Sequence, residues 1–167
     1  AVLQNYGVIS GIQGAVFGDS VRKDTVQNFG TINGIVLQGG GDDILVNRGL
    51  INGGCNSGDG NDLFDNRGGE VIGTVTLGAN NDRFDNRGGV ITGTVFGEAG
   101  SDTFCPGATD EVFDGGTGND MLDFRGGGAV QVALDGIIDA AGNAEGDSYV
   151  SFENLSGSAF GDVLFGS

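Results

Sequence analysis

A repeat of 20 residues constrains the fold of this chain more than any other feature of its sequence. The segment GDGNDLFDNRGGEVIGTVTL, residues 58–77, is followed directly by GANNDRFDNRGGVITGTVFG, residues 78–97. A fixed period of this size indicates one structural unit that stacks on itself. Each unit holds a Gly/Asn-rich turn ending in Asp, a short apolar strand, an Asn-x-Gly corner and a second short strand. We therefore predict an all-β fold, a right-handed parallel β-helix or β-roll with about 20 residues per coil.

Apolar residues recur at fixed positions of the repeat, so they form columns when the coils stack. The first column is Val26, Leu45, Phe64, Phe84, Phe104 and Leu122, each two residues after an Asp. The second is Ile9, Ile32, Ile51, Val71 and Ile91, and the third is Val36, Cys55, Val75 and Val95. Because each strand carries only two or three apolar residues, these columns favour a narrow β-helix over a sandwich.

The regularity of the repeat divides one continuous solenoid into three parts. These are degenerate N-terminal coils at 1–38, regular coils at 39–125 and C-terminal coils with a longer loop at 126–167. The turn from Asp19 to Asp24 lacks glycine, so we predict an ordinary loop there. A short strand at 130–134 precedes an Ala/Gly/Asp-rich excursion at 137–147, and no long helix is predicted. The chain has no initiator Met and ends at Ser167 just after an Asp-Val-Leu-Phe strand, so we expect a fragment of a longer protein.

Composition argues against several functions. Acidic residues outnumber basic ones 23 to 7, and the net charge of −16 argues against nucleic-acid partners and anionic membranes. The absence of His excludes His-based catalysis and His-ligated zinc. No apolar stretch approaches the ~18 residues of a membrane helix, so no membrane insertion is expected. We expect no enzyme activity.

The two cysteines are predicted to be free thiols. Aligned on the repeat, Cys55 takes the phase of Val75 and should point inward, whereas Cys105 takes the phase of Asp65 and Asp85 and should point outward. The two lie about 2.5 coils apart, or about 12 Å at ~4.8 Å per coil. A disulfide needs Cα atoms within roughly 7 Å.

An Asn recurs at the same corner of each coil, and in three coils an Arg follows it. The Asn column is Asn5, Asn28, Asn47, Asn66 and Asn86. These residues either hold a turn through local hydrogen bonds or form a stacked amide ladder. Arg48, Arg67 and Arg87 follow the Asn, and stacked like charges repel. Asp65 and Asp85 could offset that repulsion; the alternative is an anion-binding stripe.

Aspartate recurs at one phase of the turn, at Asp43, Asp62, Asp82, Asp102 and Asp120, in steps of 19, 20, 20 and 18 residues. Of the 23 acids, 18 are Asp. A solvated acidic surface would explain the charge but not the fixed phase. Glycines let the backbone curl so that several carbonyl oxygens face one point. Calcium takes six to eight oxygens and accepts carbonyls readily.

We therefore predict several Ca²⁺ ions between the turns of neighbouring coils, because one turn cannot supply all the ligands. Five or six ions would cancel roughly 10 to 12 of the 16 net negative charges. The candidate metal-binding residues are Asp43, Gly58, Gly60, Asp62, Gly78, Asn80, Asp82, Gly100, Asp102, Gly116, Gly118, Asp120 and Asp162.

The turn sequences resemble a known family. Gly115-Gly-Thr-Gly-Asn-Asp-Met-Leu-Asp123 is similar to the nine-residue repeat of the RTX family, the hemolysin-type calcium-binding repeats, and 145–165 looks like a segment common in secreted RTX proteins. Residues 39–104, with one such turn per coil, resemble the calcium-stacked β-helix of bacterial ice-binding adhesins. The resemblance implies calcium-dependent folding after export, often by type I secretion, in extracellular or cell-surface bacterial proteins. An ice-binding row of Thr-x-Asn would need more than the single match at Thr117 and Asn119.

Two main functional hypotheses follow. The first is an extracellular calcium-binding module with a structural, adhesive or secretion-folding role. The second is a carbohydrate-binding or polysaccharide-processing accessory module, with cell-surface polysaccharide as partner; an ice-binding face is a third alternative. Because stacked coils leave open β-edges at both ends, further repeats or copies of the same chain are also expected partners, joined end to end.

Overall fold

A computed structural model describes residues 1–11, 14, 16–18, 20–134, 141, 142 and 144–166. The chain is all-β, and its parallel strands stack as a β-solenoid of about six turns roughly 20 residues apart. The described residues contain no helix, so none there is long and apolar enough to cross a membrane. The predicted parallel β-helix is confirmed.

Three sheets run along the solenoid, because each regular coil contributes one strand to each sheet. The first sheet consists of Val2–Asn5, Thr25–Asn28, Ile44–Asn47, Leu63–Asp65, Arg83–Asp85, Thr103–Cys105, Met121–Asp123 and Asn154–Ser156. The second consists of Val8–Ser10, Thr31–Asn33, Leu50–Asn52, Glu70–Ile72 and Val90–Ile91. The third consists of Val16–Phe17, Val36–Leu37, Cys55–Asp59, Val75–Ala79, Thr94–Gly100, Val112–Asp114, Thr117–Gly118 and Ser148–Val150.

The core consists of the three predicted columns. The register pairs Phe64 with Phe84 and Phe84 with Phe104 in the first sheet, and all three rings are fully buried. Their centroids lie 5.3 and 6.3 Å apart in edge-on arrangements, the favoured geometry for aromatic pairs. The isoleucine column and the column containing Cys55 line the inner faces of the other two sheets.

The Asn column forms a stacked amide ladder and also holds local turns, so both alternatives are present. Oδ1 of Asn5, Asn28 and Asn47 accepts the backbone N–H of the glycine two residues later at 3.1, 3.3 and 3.3 Å respectively. Each Asn donates from Nδ2 to Oδ1 of the Asn one coil later. The distances are 2.7 Å from Asn5 to Asn28, 2.8 Å from Asn28 to Asn47, 2.8 Å from Asn47 to Asn66 and 2.6 Å from Asn66 to Asn86. The ladder ends at Glu111, whose Oε1 accepts from Asn86 and whose Oε2 accepts from the Gly107 N–H at 2.7 Å. These side chains are buried, so the ladder fixes the register of neighbouring coils at the corner between the first and second sheets.

The arginines beside the ladder are paired with aspartates. Asp65 accepts bidentate hydrogen bonds from both Arg48 and Arg67, with closest distances of 2.7 Å. Burial alone would raise the pKa of Asp65, but these bonds hold it well below its ordinary value. Arg87 pairs in the same way with Asp85. The structure thus confirms that the aspartates offset the stacked positive charges, and it accounts for the arginine row without a bound anion.

The two cysteines are free, as predicted, and Cys55 points into the core. The outward phase predicted for Cys105 is present, although Cys105 is fully buried. Cys105 does occupy the phase of Asp85, but the Arg83 side chain covers this column and donates to Sγ at 2.9 Å. Long side chains on the outer face of the first sheet therefore bury positions that alternate outward.

The regular pattern changes after Cys105. The second sheet gains no strand after Val90–Ile91 among the described residues, and the chain passes from Cys105 to Val112 without one. The predicted strand at 130–134 is present as Val130–Ala133 and joins a separate sheet with Ala141–Gly142 and Val163–Phe165. Asp19, Ser167 and residues 135–140 and 143, which include part of the predicted excursion, lie outside the described residues.

Candidate metal centre

The five recurrent aspartates lie in one buried column, at the corner between the third and first sheets. Each of Asp43, Asp62, Asp82, Asp102 and Asp120 is at most 4% exposed. In this column the Oδ1 atom of each Asp accepts the backbone N–H of the equivalent Asp one coil earlier. The distances are 2.7 Å from Asp43 N to Asp62, 2.7 Å from Asp62 N to Asp82, 2.8 Å from Asp82 N to Asp102 and 2.7 Å from Asp102 N to Asp120. One carboxylate oxygen per coil is therefore used to join neighbouring turns.

The same link continues beyond the predicted residues at both ends. At the start, the Asp24 N–H donates to Asp43 Oδ1 at 2.6 Å. At the other end, the Asp120 N–H donates to Oε2 of Glu153 at 2.8 Å. Sequence reasoning missed Glu153, although an acid two residues before the column residue Leu155 is the same signal as in the earlier coils.

The second carboxylate oxygen of each Asp has no partner. Oδ2 of Asp43, Asp62, Asp82, Asp102 and Asp120 is buried without a hydrogen bond. Leaving a buried polar group unpaired costs roughly 1–3 kcal/mol, and more when the group is charged. The five oxygens therefore form a row along the solenoid axis in which neither the hydrogen-bonding capacity nor the negative charge of the carboxylates is compensated.

The electrostatics of the column follow from burial and like charge. The pKa of Asp82 is raised to about 8, chiefly by burial and then by the negative charges of Asp102 and Asp62, although the hydrogen bond from the Asp62 backbone lowers it. Burial also raises the pKa of Asp62 and of Asp102 to about 6. The pKa values of Asp43 and Asp120 are raised for the same first reason. Each acid of the column is therefore harder to ionise than an ordinary aspartate, and a bound cation or proton would offset that cost.

The predicted glycines shape the turns before these aspartates. Positive φ values occur at Gly58 (103°), Gly60 (134°), Gly78 (117°), Asn80 (84°), Gly100 (156°), Gly116 (93°) and Gly118 (147°). Neighbouring turns also approach closely, since a Cβ added to Gly78 would lie 1.8 Å from the carbonyl oxygen of Gly58. Only glycine meets both demands at position 78.

Several turn carbonyls already join the coils. The carbonyl oxygens of Asp59, Ala79 and Ala99 accept backbone N–H groups of adjacent turns, at 2.7, 3.0 and 2.7 Å respectively. Outside them, a second polar column links Asn61, Asn81 and Ser101: Asn61 Oδ1 accepts the Asn81 N–H at 3.2 Å, and Asn81 Oδ1 accepts the Ser101 N–H at 2.8 Å. The turns are thus stacked by backbone and side-chain bonds on both sides of the aspartate column.

Asp162 is the one predicted aspartate that lies apart from this column. It directly precedes the strand Val163–Phe165 of the separate C-terminal sheet, and its Oδ1 accepts the Val130 N–H at 3.0 Å and the Ser158 hydroxyl at 2.8 Å. Those bonds give its carboxylate a local structural role, and Glu153 takes the place that the next repeat would give to an aspartate.

The donor set suits a hard cation that accepts neutral oxygens. Within the described part of the chain, no three acidic or thiol side chains converge on one point. A cation here would therefore combine the unpartnered Oδ2 atoms with backbone carbonyls, which calcium accepts and which zinc sites rarely use. The buried unpaired oxygens thus fit a calcium ion.

Comparison with known proteins finds no relative: no family model, no curated protein and no solved structure matches this chain.

Proposed function

We propose that this chain is a calcium-binding β-solenoid module of the RTX type, with a structural, adhesive or secretion-folding role outside the cell. The RTX resemblance of the turn at residues 115–123 supports this assignment. Several Ca²⁺ ions lie along the aspartate column, bound by Asp43, Asp62, Asp82, Asp102 and Asp120 together with carbonyls of the glycine-rich turns.

One observation carries the proposal: five buried Oδ2 atoms in register lack any hydrogen-bond partner. A merely structural column would pair both oxygens of each carboxylate or expose the free one to water. The Oδ1 atoms are already held by backbone N–H groups, so the aspartates are fixed in place before any ion binds. Fixed anionic ligands reduce the ordering cost of binding.

The charge of the chain makes folding depend on the ion. The net charge is −16, and the aspartate column concentrates part of it in a buried line. At low calcium, repulsion and desolvation along this line oppose the folded state; at millimolar calcium, ion binding stabilises it by mass action. Such a chain is at most marginally folded where calcium is scarce and folds fully on reaching a calcium-rich exterior, which suits export by type I secretion.

The remaining roles are part of the same proposal. The module has no enzymatic activity, since its recurrent acids serve as calcium ligands. Further repeats or copies of itself stack end to end on the open strands of the outermost coils. Neither nucleic acid nor a membrane is a partner of so acidic a chain.

Carbohydrate recognition is a second candidate, favoured by one exposed pair of rings. Tyr6 and Phe29 stack with centroids 5.0 Å apart and planes 8° from parallel, and they are 72% and 44% exposed. Flat exposed aromatic faces of this kind are suited to stacking on sugar rings. A glycan array in calcium, with Tyr6→Ala as the comparison, tests this candidate; equal glycan binding by both proteins rejects the pair as a binding face.

The calcium proposal is tested by far-UV circular dichroism and native mass spectrometry on the full chain. In EDTA we expect a weakened β spectrum and a much lower Tm, and on adding excess calcium we expect both to recover with several ions bound. A β spectrum that is unchanged in EDTA, together with a mass that shows no bound calcium at millimolar calcium, would refute the proposal.

A further inference from the structure

Seven buried side-chain atoms of the described residues lack a hydrogen-bond partner, and all seven lie on two columns of the solenoid. Five are the Oδ2 atoms of the turn aspartates, and the other two are Nε2 of Gln38 and Oγ of Ser57. Native proteins leave few such groups, and each needs an explanation such as a water or an ion. Their concentration in one strip points to a polar occupant shared by the two columns.

The second column is the first residue of each turn, five residues before its Asp. The register of the third sheet aligns its members: Gln38, Ser57, Leu77, Gly97 and Gly115. A Cβ added to Gly97 would lie 2.5 Å from Oδ2 of Asp102, and one added to Gly115 would lie 2.9 Å from Oδ2 of Asp120. In these two turns the first residue therefore borders the Asp oxygen that has no partner, and the sheet register places Gln38, Ser57 and Leu77 at the same phase of their own turns.

The chemistry of this second column differs from turn to turn. Gln38 and Ser57 are both about 1% exposed, and each can supply an oxygen. The Ser57 hydroxyl is itself an acceptor, and a 180° rotation of the Gln38 amide places Oε1 where Nε2 lies. Calcium readily takes amide oxygens as ligands. Leu77, by contrast, is fully buried, and its hydrocarbon side chain offers no oxygen at the start of the Asp82 turn.

We infer that the turns form a row of unequal calcium sites, tightest at Asp43 and Asp62, where Gln38 and Ser57 add side-chain ligands, and weakest at Asp82 beside Leu77. This inference rests on the proposed function and specifies which turns load first. Calcium fills the row from its N-terminal end, and the Asp82 turn fills last. The module thus responds to calcium over a range of concentrations rather than at one threshold.

Isothermal titration calorimetry with Ca²⁺ on the full chain tests the inference. Ser57→Ala removes one neutral ligand, so the tightest class of sites is expected to weaken about tenfold while the number of ions stays the same. Gln38→Leu weakens the same class by a similar factor. Asn56→Ala is the matched control, because Asn56 is adjacent, exposed and on the opposite face of the same strand.

The outcomes separate this inference from the proposal beneath it. A wild-type chain that binds no calcium overturns both. A wild type that binds calcium, with the isotherms of Ser57→Ala and Asn56→Ala superimposed on it, overturns only the unequal sites. If Ser57→Ala fails to fold, Ser57→Gly repeats the test with the residue that two later turns carry at this position, Gly97 and Gly115. Leu77→Ser should tighten the weakest class, and a folded Leu77→Ser protein without that gain counts against the inference.

Discussion

Replacing Asp82 with Asn separates the two roles of the aspartate column. Asp82 is 3% exposed; its Oδ1 accepts the Asp62 N–H at 2.7 Å, and its Oδ2 has no partner. Asn keeps an oxygen for the backbone bond and removes the charge and the second oxygen. Asp82→Asn should therefore leave the stacking of the turns intact while removing a calcium ligand from the middle of the row.

The expected size follows from the position of Asp82 between Asp62 and Asp102. An ion at 100 times its Kd stabilises the folded chain by about 2.7 kcal/mol, so weakening the ions on both sides costs up to about 5 kcal/mol. For a chain of this length, 1 kcal/mol corresponds to about 2–4 °C in Tm. In calcium, Asp82→Asn should lower Tm by about 10–20 °C. In EDTA it should equal or exceed wild type, because a buried charge has been removed.

Asp42→Asn is the matched control. Asp42 neighbours the column, carries the same charge and accepts the Asn61 N–H at 2.9 Å, but it is exposed. Thermal melts by circular dichroism in EDTA and in calcium compare the three proteins. If Asp82→Asn shows the same calcium-dependent rise in Tm as wild type and Asp42→Asn, the aspartate column does not bind the ion and the reasoning fails.

Three further predictions concern the packing and charge of the coils. Gly78→Ala should cost more than about 3 kcal/mol in urea unfolding, because its Cβ would meet a backbone carbonyl at 1.8 Å, whereas Gly88→Ala, with φ of 76° and open space, should cost about 1–2 kcal/mol. Asn66→Ala should cost about 1–3 kcal/mol, because it leaves Oδ1 of buried Asn86 without its donor and removes one of the two acceptors of Asn47 Nδ2, and Asn33→Ala, at a half-buried position, should cost less than about 0.5 kcal/mol. Metal-free protein should lose stability as pH rises from about 5 to 8, because the folded state binds more protons at carboxyls whose pKa is raised to about 6 and 8. With calcium in excess the trend should reverse, since protons compete with the ion.

Each of these predictions has a contradicting result. Equal destabilisation by the two glycine variants would mean that the close approach of neighbouring coils adds nothing to the cost of the positive φ that both glycines share. Equal stability of the two asparagine variants would remove the ladder as a source of stability. A metal-free denaturation midpoint that rises steadily between pH 5 and 8 would show that the column does not retain protons in the folded state.

The fold could be predicted from the sequence because residues at the same position of the repeat stack on one another in neighbouring coils. Phe64, Phe84 and Phe104 share one phase, and a period of 20 leaves no other way to bury them together. That the Asn residues form an amide ladder as well as local turns could not be predicted, since the partner of Asn47 lies one coil away and not in its own sequence window. Interactions between coils depend on side-chain direction, which a period does not specify.

The features that the repeat alone does not reveal have physical causes of the same kind. Cys105 alternates outward but is buried, because the long Arg83 side chain covers it. Asp162 has the right local motif, but the register of the last coil depends on where the chain returns after the irregular segment following Asp123. That return brings Glu153 rather than Asp162 to the column. The sequence also gave no sign that one oxygen of each turn aspartate is bonded and the other is free.

The amide ladder gives the solenoid an electrical direction. All its side-chain N–H groups point toward the later coils, so their dipoles add along the axis as peptide dipoles do in a helix. The positive end of this row meets the buried carboxyl of Glu111, whose pKa burial raises to about 8 while the bonds from Gly107 and Asn86 pull it down. The row of neutral amides therefore ends at a carboxyl group, whose negatively charged form the positive end of the row stabilises. The two ends of the ladder thus differ in polarity even though every rung is the same residue.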